Sequence, residues 1–155
     1  VIQHSPVEII DFACPVMKQE AVRLWDINGD SEISFYEAQQ ASSGFDSLID
    51  KAITSFDEYR FFSSLHYSLN FSGSAIESIK FPCRYVSLPW DTFKNCNKLD
   101  GLKDYYFSID CASAFEGCSS LTEVRIEDRD ISSRAFKGCS SLKTVNFVFL
   151  YNKKG

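Results

Sequence analysis

The stretch SAFEGCSSLTEVRI, Ser113 to Ile126, decides the reading of this chain, because RAFKGCSSLKTVNF repeats it from Arg134 to Phe147. Self-similarity at a fixed period marks a repeat architecture. Phe115 and Phe136 anchor the two copies, 21 residues apart. Two further steps of 22 residues towards the N-terminus land on Phe93, in TFKNCNKL, and Phe71, in FSGSAIESIKF. Four anchors therefore open four units.

Each unit fills the same slots. Two residues after the anchor stands Gly73, Asn95, Gly117 or Gly138, types that tolerate positive φ and suit a single helical turn closed by a left-handed residue. Ser74, Cys96, Cys118 or Cys139 comes next, then an aliphatic (Ile76, Leu99, Leu121, Leu142) and, three residues later, a second (Ile79, Leu102, Val124, Val145). A last apolar slot alternates with it in strand fashion at Phe81, Ile126 and Phe147. In the Phe93 unit that slot falls on Asp104. Either its strand slips to Tyr105 and Phe107, or Asp104 turns outward. FFSSL, Phe61 to Leu65, looks like part of one more coil.

A unit of this length, with one short strand and one turn, cannot bury its own apolar face, so the coils must stack with parallel strands aligned. The recurring cysteine then reads as a small, weakly polar side chain in a buried slot. A disulfide framework is the rival reading, but Ser74 replaces the cysteine in one unit without a partner being lost. Cys14, Cys83 and Cys111 lie outside the slot, and pairing among them stays open. YVSLPWD, Tyr85 to Asp91, reads as a convex-side loop with an exposed Trp90.

AFEGCSSLTEVRI and AFKGCSSLKTVNF closely resemble the BspA-like leucine-rich repeats of bacterial surface and secreted proteins. The resemblance covers Phe71 to Phe147, with a lead-in from Ile53. It implies a secreted or surface-anchored chain that binds other macromolecules.

A second pattern lies ahead of the repeats. DINGDSEISFYE, Asp26 to Glu37, follows the EF-hand loop. Asp26, Asn28 and Asp30 take positions 1, 3 and 5, and Glu32 takes position 7 through its carbonyl. Ser34 takes position 9, Glu37 the bidentate position 12, and Ile33 the apolar position 8. Calcium takes six to eight hard oxygens in a flexible shell, which alternate residues of a tight loop supply. Ser31 stands where the loop normally has Gly, which should weaken the site. The competing reading is a capped helix start, since Ser34 and Glu37 form a capping box. Helices are expected over Cys14 to Trp25, with Pro15 in the first turn, and over Phe35 to Ala41. A lone loop has no second one to pair with, so it reads as the cap of the solenoid's N-terminal end. A single calcium loop ahead of the repeats also resembles the arrangement in this family.

The expected fold class is α+β: a helical EF-hand-like cap over residues 1–52, then a leucine-rich-repeat solenoid of about four coils over residues 53–155, carrying a parallel sheet of short strands. Fourteen Phe and seven Tyr against one Met suggest a core built on aromatic stacking. A net charge of −5 speaks against a nucleic-acid partner. No apolar run approaches the ~18 residues of a membrane helix. The start, VIQHSPVEIIDFACP, lacks the basic flank of a signal peptide, so a signal sequence is expected to lie outside this sequence.

Neither His4 nor His66 stands in a nucleophile or zinc pattern, so no catalysis is expected. Outward strand residues of a solenoid form its concave face, where binding usually happens. By the alternation these are Ser78, Lys80, Glu123, Arg125, Glu127, Thr144 and Asn146, with Tyr106 joining if the Phe93 strand slips. The expected function is secreted or cell-surface binding or adhesion to a protein or glycan, with calcium as a structural cofactor. The alternatives are a spacer in a larger surface assembly and a cysteine-dependent enzyme. The apolar end VNFVFLYNKKG predicts a sheet edge covered by Tyr151–Gly155 or by self-association.

Overall fold

The computed structural model describes residues 3–42, 50–65, 69–109, 113–127 and 131–148. The chain begins with a short extended segment and two helices, α1 (Pro15–Trp25) and α2 (Phe35–Gln40). Pro15 opens α1 with its φ already helical. The Cys14 sulfur caps the helix by accepting from the Met17 N–H at 3.5 Å. Met17, Ala21 and Trp25 recur at helical spacing and are buried. Trp25 and Phe12 both stack on Phe56, at 6.4 Å, and Trp25 tilts against Phe62 at 5.0 Å. The helices are thereby fastened to the first of the stacked coils, and one continuous apolar core runs from Ile10 to Ala135.

That first coil carries strand β1 (Ser55–Phe56) and a 3-10 helix, Asp57–Phe61. FFSSL therefore belongs to the return of this coil, with Phe62 and Leu65 buried, and the strand lies ahead of it. β1 pairs in parallel with β2 (Ser78–Ile79) as a two-stranded sheet. A separate four-stranded parallel sheet follows in the order β3 (Tyr85–Ser87), β4 (Tyr106–Ser108), β5 (Glu123–Ile126), β6 (Thr144–Phe147).

The split in the sheet corrects one expectation. Tyr85–Ser87 is a strand and not a convex loop: Val86 is buried and sits opposite Phe107. The residues between Ile79 and Val86 carry the chain from one sheet to the other within a unit of ordinary length. Phe81 fills the space beneath this excursion, edge-on to Phe93, Tyr105 and Phe107. Its N–H donates to the Tyr105 hydroxyl at 3.2 Å. The same device settles the Phe93 unit. Its strand slips to Tyr106–Ser108, Phe107 takes the buried slot opposite Ile126, and Asp104 is exposed ahead of it. Trp90 is 82% exposed, as the sequence suggests.

Three ladders hold the coils together. Phe71, Phe93, Phe115 and Phe136 stack at 5.6, 5.9 and 5.9 Å with planes within 17°. Beside them runs the cysteine slot. Cys96, Cys118 and Cys139 donate their S–H groups to the carbonyls of Phe71, Phe93 and Phe115, one coil back, at 3.0 to 3.1 Å. Each of those carbonyls also accepts the backbone N–H of its own turn, from Ser74, Cys96 or Cys118. The third ladder joins the turns: Gly73, Asn95 and Gly117 donate their N–H groups to the carbonyls of Lys94, Glu116 and Lys137. All three donors have positive φ, between 60° and 79°.

Candidate recognition face and acidic loop

The acidic loop joins α1 to α2. Asp26, the C-cap of α1, accepts the Gly29 N–H at 2.7 Å and the Ser31 N–H at 3.0 Å, one on each oxygen. Asn28 and Asp30 accept the N–H groups of Asp30 and Glu32, at 2.9 and 2.8 Å. The turn these bonds impose places Ser31 at φ 66°, the left-handed conformation in which the loop normally uses glycine. Glu32 is paired outward with Lys18 at 2.7 Å.

Glu37, only 2% exposed, points back into the loop. One oxygen accepts from the Ile27 and Asn28 N–H groups, at 2.9 and 3.2 Å. The other accepts from the Ser34 N–H and hydroxyl, at 2.9 and 2.8 Å, which completes the capping box. Burial works to raise the Glu37 carboxyl, but the bonds from Ser34, Ile27 and Asn28 outweigh it and hold it below the usual carboxylate range. Ile33 is fully buried, and Ile10 donates its N–H to the Ile33 carbonyl at 2.8 Å. The Ile9–Ser34 antiparallel bridge thus supplies from the N-terminal segment the pairing that a lone loop lacks.

The donor types suit a hard cation, and the left-handed turn at Ser31 suits the loop. Among the described residues, however, no three His, Cys, Asp or Glu side chains are grouped so as to hold a metal. Both Asp26 oxygens and Glu37 Oε1 accept backbone N–H groups, Asp30 Oδ2 accepts from the Asn28 side-chain amide, and Glu32 pairs with Lys18.

The open face of the four-stranded sheet presents the second feature. Its register places Tyr85, Tyr106, Arg125 and Asn146 in one row across all four strands. Tyr85 and Tyr106 stack at 5.2 Å, with planes 20° apart. The Arg125 guanidinium lies over the Tyr106 ring at 5.5 Å and donates to the Tyr106 hydroxyl at 3.4 Å. Arg84 covers the same ring from 5.3 Å. Asn146 donates to Glu123 at 3.1 Å, and Thr144 stands opposite Glu123 in the ladder. Glu127 follows β5 at the far end of the face, its N–H bonded to the Phe107 carbonyl.

Of the expected face residues, the structure brings together Tyr106, Glu123, Arg125, Thr144 and Asn146, with Glu127 beside them. Ser78 lies in β2, in the other sheet, and Lys80 is exposed just beyond it. The register instead adds Tyr85 and Ser87, with Arg84 next to them. The repeat arithmetic missed these because a second strand follows Ile79 within the Phe71 unit, off the slot that the repeat assigns. The signal was present in YVS, a short alternating run with two outward residues around a buried Val86.

An apolar cleft of about 240 Å³ is lined by Tyr59, Leu65, Leu69, Phe81, Val86 and Leu88. Cys83 is exposed at its rim and donates to the Tyr85 carbonyl at 3.0 Å. Cys14, Cys83, Cys96, Cys118 and Cys139 are all free thiols; Cys111 and His66 lie outside the described residues. Burial pushes the Cys96, Cys118 and Cys139 thiols up, which makes them poor nucleophiles.

The repeated coils agree with a family comparison. The model for the BspA type leucine rich repeat region (6 copies) matches residues 48–100 and 67–152, more than half of the chain. The chain belongs to the BspA type leucine-rich-repeat family. No curated protein and no solved structure matches it. BspA type repeats are typically found in bacterial surface proteins and typically serve interaction and not catalysis. Among the described residues no helix is long and apolar enough to cross a membrane.

Proposed function

We propose that this chain is a secreted or cell-surface recognition module that binds a protein through the open face of its four-stranded sheet. The observation that carries this reading is the Tyr85–Tyr106–Arg125–Asn146 row. Tyr and Arg are the types enriched at interface hot spots, and here they share one register line on a parallel sheet. The test is a peptide and glycan array probed with the chain and with Tyr85→Ser/Tyr106→Ser. Binders retained by the chain and lost by the variant support the reading. Binders that survive the double substitution place recognition elsewhere.

A structural role for calcium in the Asp26–Glu37 loop belongs to the same proposal. Asp26, Asn28, Asp30 and Glu37 would supply side-chain oxygens, Glu32 its carbonyl, and Ser34 its hydroxyl directly or through a water. Glu37 would exchange its bonds to Ile27 and Asn28 for the ion. Bound calcium would lock the cap, and so the first coil, in place. Calorimetric titration of metal-stripped protein, with Glu37→Gln alongside, checks this. One saturable site lost in the variant supports it. No heat, with a melting temperature indifferent to chelator, leaves only the capping box.

A second reading is favoured by the last coil. Leu142 and Val145 are only partly buried, and Phe147 is 49% exposed at the sheet edge. Tyr151–Gly155, the expected cover, lies outside the described residues; the exposure of Phe147 suits a module that sits within a larger assembly or self-associates. Light scattering that shows a strict monomer would remove self-association.

A further inference from the structure

The chemistry of the row specifies its partner further, on the reading that the sheet face is the recognition surface. The chain carries 21 Asp and Glu against 16 Lys and Arg. Acidic side chains are therefore plentiful, and several other cations pair with them. Lys18 pairs with Glu32, Arg23 with Glu20, and Arg134 with Glu116. Arg84 and Arg125 do not: among the described residues neither has a carboxylate within ion-pair distance. Both guanidiniums rest on the Tyr106 ring instead, at 5.3 and 5.5 Å. Glu123, the acidic neighbour of Arg125 along β5, is turned to Asn146. Glu127 lies at the end of the same strand and makes no ion pair with Arg125.

What this row offers outward is donors beside the half-exposed Tyr85 ring. Arg84 and Arg125 keep most of their N–H groups, and the Tyr85 hydroxyl stands beside them. The Tyr106 ring is already covered by Tyr85 and the two guanidiniums, so it cannot serve as a stacking platform for a sugar. A sugar ring needs a free aromatic face, whereas a carboxylate needs forked N–H donors, and guanidinium groups provide them. The cations are pre-positioned by the ring, which lowers the ordering cost of binding.

We propose that the Arg84–Tyr106–Arg125 cluster binds the carboxylates of an extended acidic segment of a partner protein. Such a segment laid across β3, β4 and β5 places one carboxylate near each guanidinium. The remaining contacts come from the Tyr85 hydroxyl and Asn146.

The test uses the whole chain and a short fluorescent peptide of repeating Glu and Gly, read by anisotropy at low and high salt. Controls are the Gln-Gly analogue and a soluble sulfated polysaccharide. The expected result is binding to the Glu peptide alone that weakens with salt. Each of Arg84→Gln and Arg125→Gln should weaken it by roughly tenfold, as the loss of one charge-assisted pair predicts. Melting curves of both variants should stay at the wild-type position, because neither side chain is in the core. Equal binding of Glu and Gln peptides, or indifference to both substitutions, overturns the assignment. So does preference for the sulfated polysaccharide, or no binding at all. In those cases the array result with the Tyr85→Ser/Tyr106→Ser variant still decides independently whether the face is a recognition surface.

Discussion

Three glycines in equivalent slots provide an internal comparison. Gly73, Gly117 and Gly138 all take positive φ, at 73°, 79° and 77°. A side chain in that conformation costs about 1–2 kcal/mol, partly offset by the roughly 0.4–1 kcal/mol an alanine gains by restricting the unfolded chain. On backbone grounds alone the three alanine variants would lose about the same, near 1 kcal/mol each. Their surroundings differ. A Cβ on Gly73 meets nothing within 4 Å, and one on Gly138 comes no nearer than 3.4 Å to the Gly117 Cα. A Cβ on Gly117 falls 2.3 Å from the Asn95 side-chain oxygen and 3.2 Å from the Asn95 Cα. The oxygen can swing aside; the backbone carbon can do so only by separating two coils. That overpacking adds about 1–3 kcal/mol. It also strains the bonds from Asn95 to the Glu116 carbonyl and from Gly117 to the Lys137 carbonyl, at 2.6 and 2.7 Å. Gly117→Ala should therefore lose about 2–4 kcal/mol in urea denaturation and the other two about 1 kcal/mol, at unchanged slope. Equal losses in all three variants would refute the claim that close packing between turns, and not φ alone, fixes Gly117.

Further predictions follow from the other ladders and the cap. Cys118→Ala should cost about 1–2 kcal/mol, from the lost bond to the Phe93 carbonyl and the void left behind. Cys118→Ser should cost less, since Ser74 already occupies this slot; a serine variant as damaged as the alanine one would count against the thiol's donor role. Ser31→Gly should raise stability by up to about 1 kcal/mol, because φ 66° is strained for serine and free for glycine. A melting temperature left unchanged or lowered would contradict this. Of the five described thiols, Cys83 should react at once with a thiol reagent in the native state, while Cys96 and Cys118 should wait for unfolding; mass spectrometry of the labelled peptides reads this directly. At Cys14, burial raises the thiol, but bonds from Thr54, Met17 and Ser55 outweigh it and bring it down to about 7. A folded-state value below the unfolded one stabilises the thiolate. That contribution, on the order of 2 kcal/mol, is present above pH 9 and lost as pH falls through 7. The stability gap between the wild type and Cys14→Ser should narrow over that window; a gap independent of pH would remove the thiolate from the cap.

The sequence by itself determined the repeat family and the spacing of its units. Anchors at Phe71, Phe93, Phe115 and Phe136, the left-handed residue two places on, and the small Ser or Cys beside it recur because each coil meets the same neighbour on the same side. Periodicity in the chain is periodicity in the packing, so the Phe stack and the buried thiol slot could be read before any coordinates. The two helices and the capping box were equally local, since their signals lie within a few residues of the bonds they make. Only the tertiary structure decided where the strands fall in the two irregular units. The anchors keep their period, but Val86 and Phe107 stand 15 and 14 residues after theirs where Val124 and Val145 stand 9 after, and nothing local says which later residue returns to the sheet. Val86 and Phe107 do so because they find each other, and Ile126, across coils. That pairing divides the sheet at β2 and brings Tyr85 and Arg84 onto Tyr106. It separates Ser78 and Lys80 from the row that an unbroken repeat would have given them. The loop shows the same division. Its residue types follow from the sequence. The direction in which Glu37 turns its carboxylate depends on which donors the folded cap presents to it.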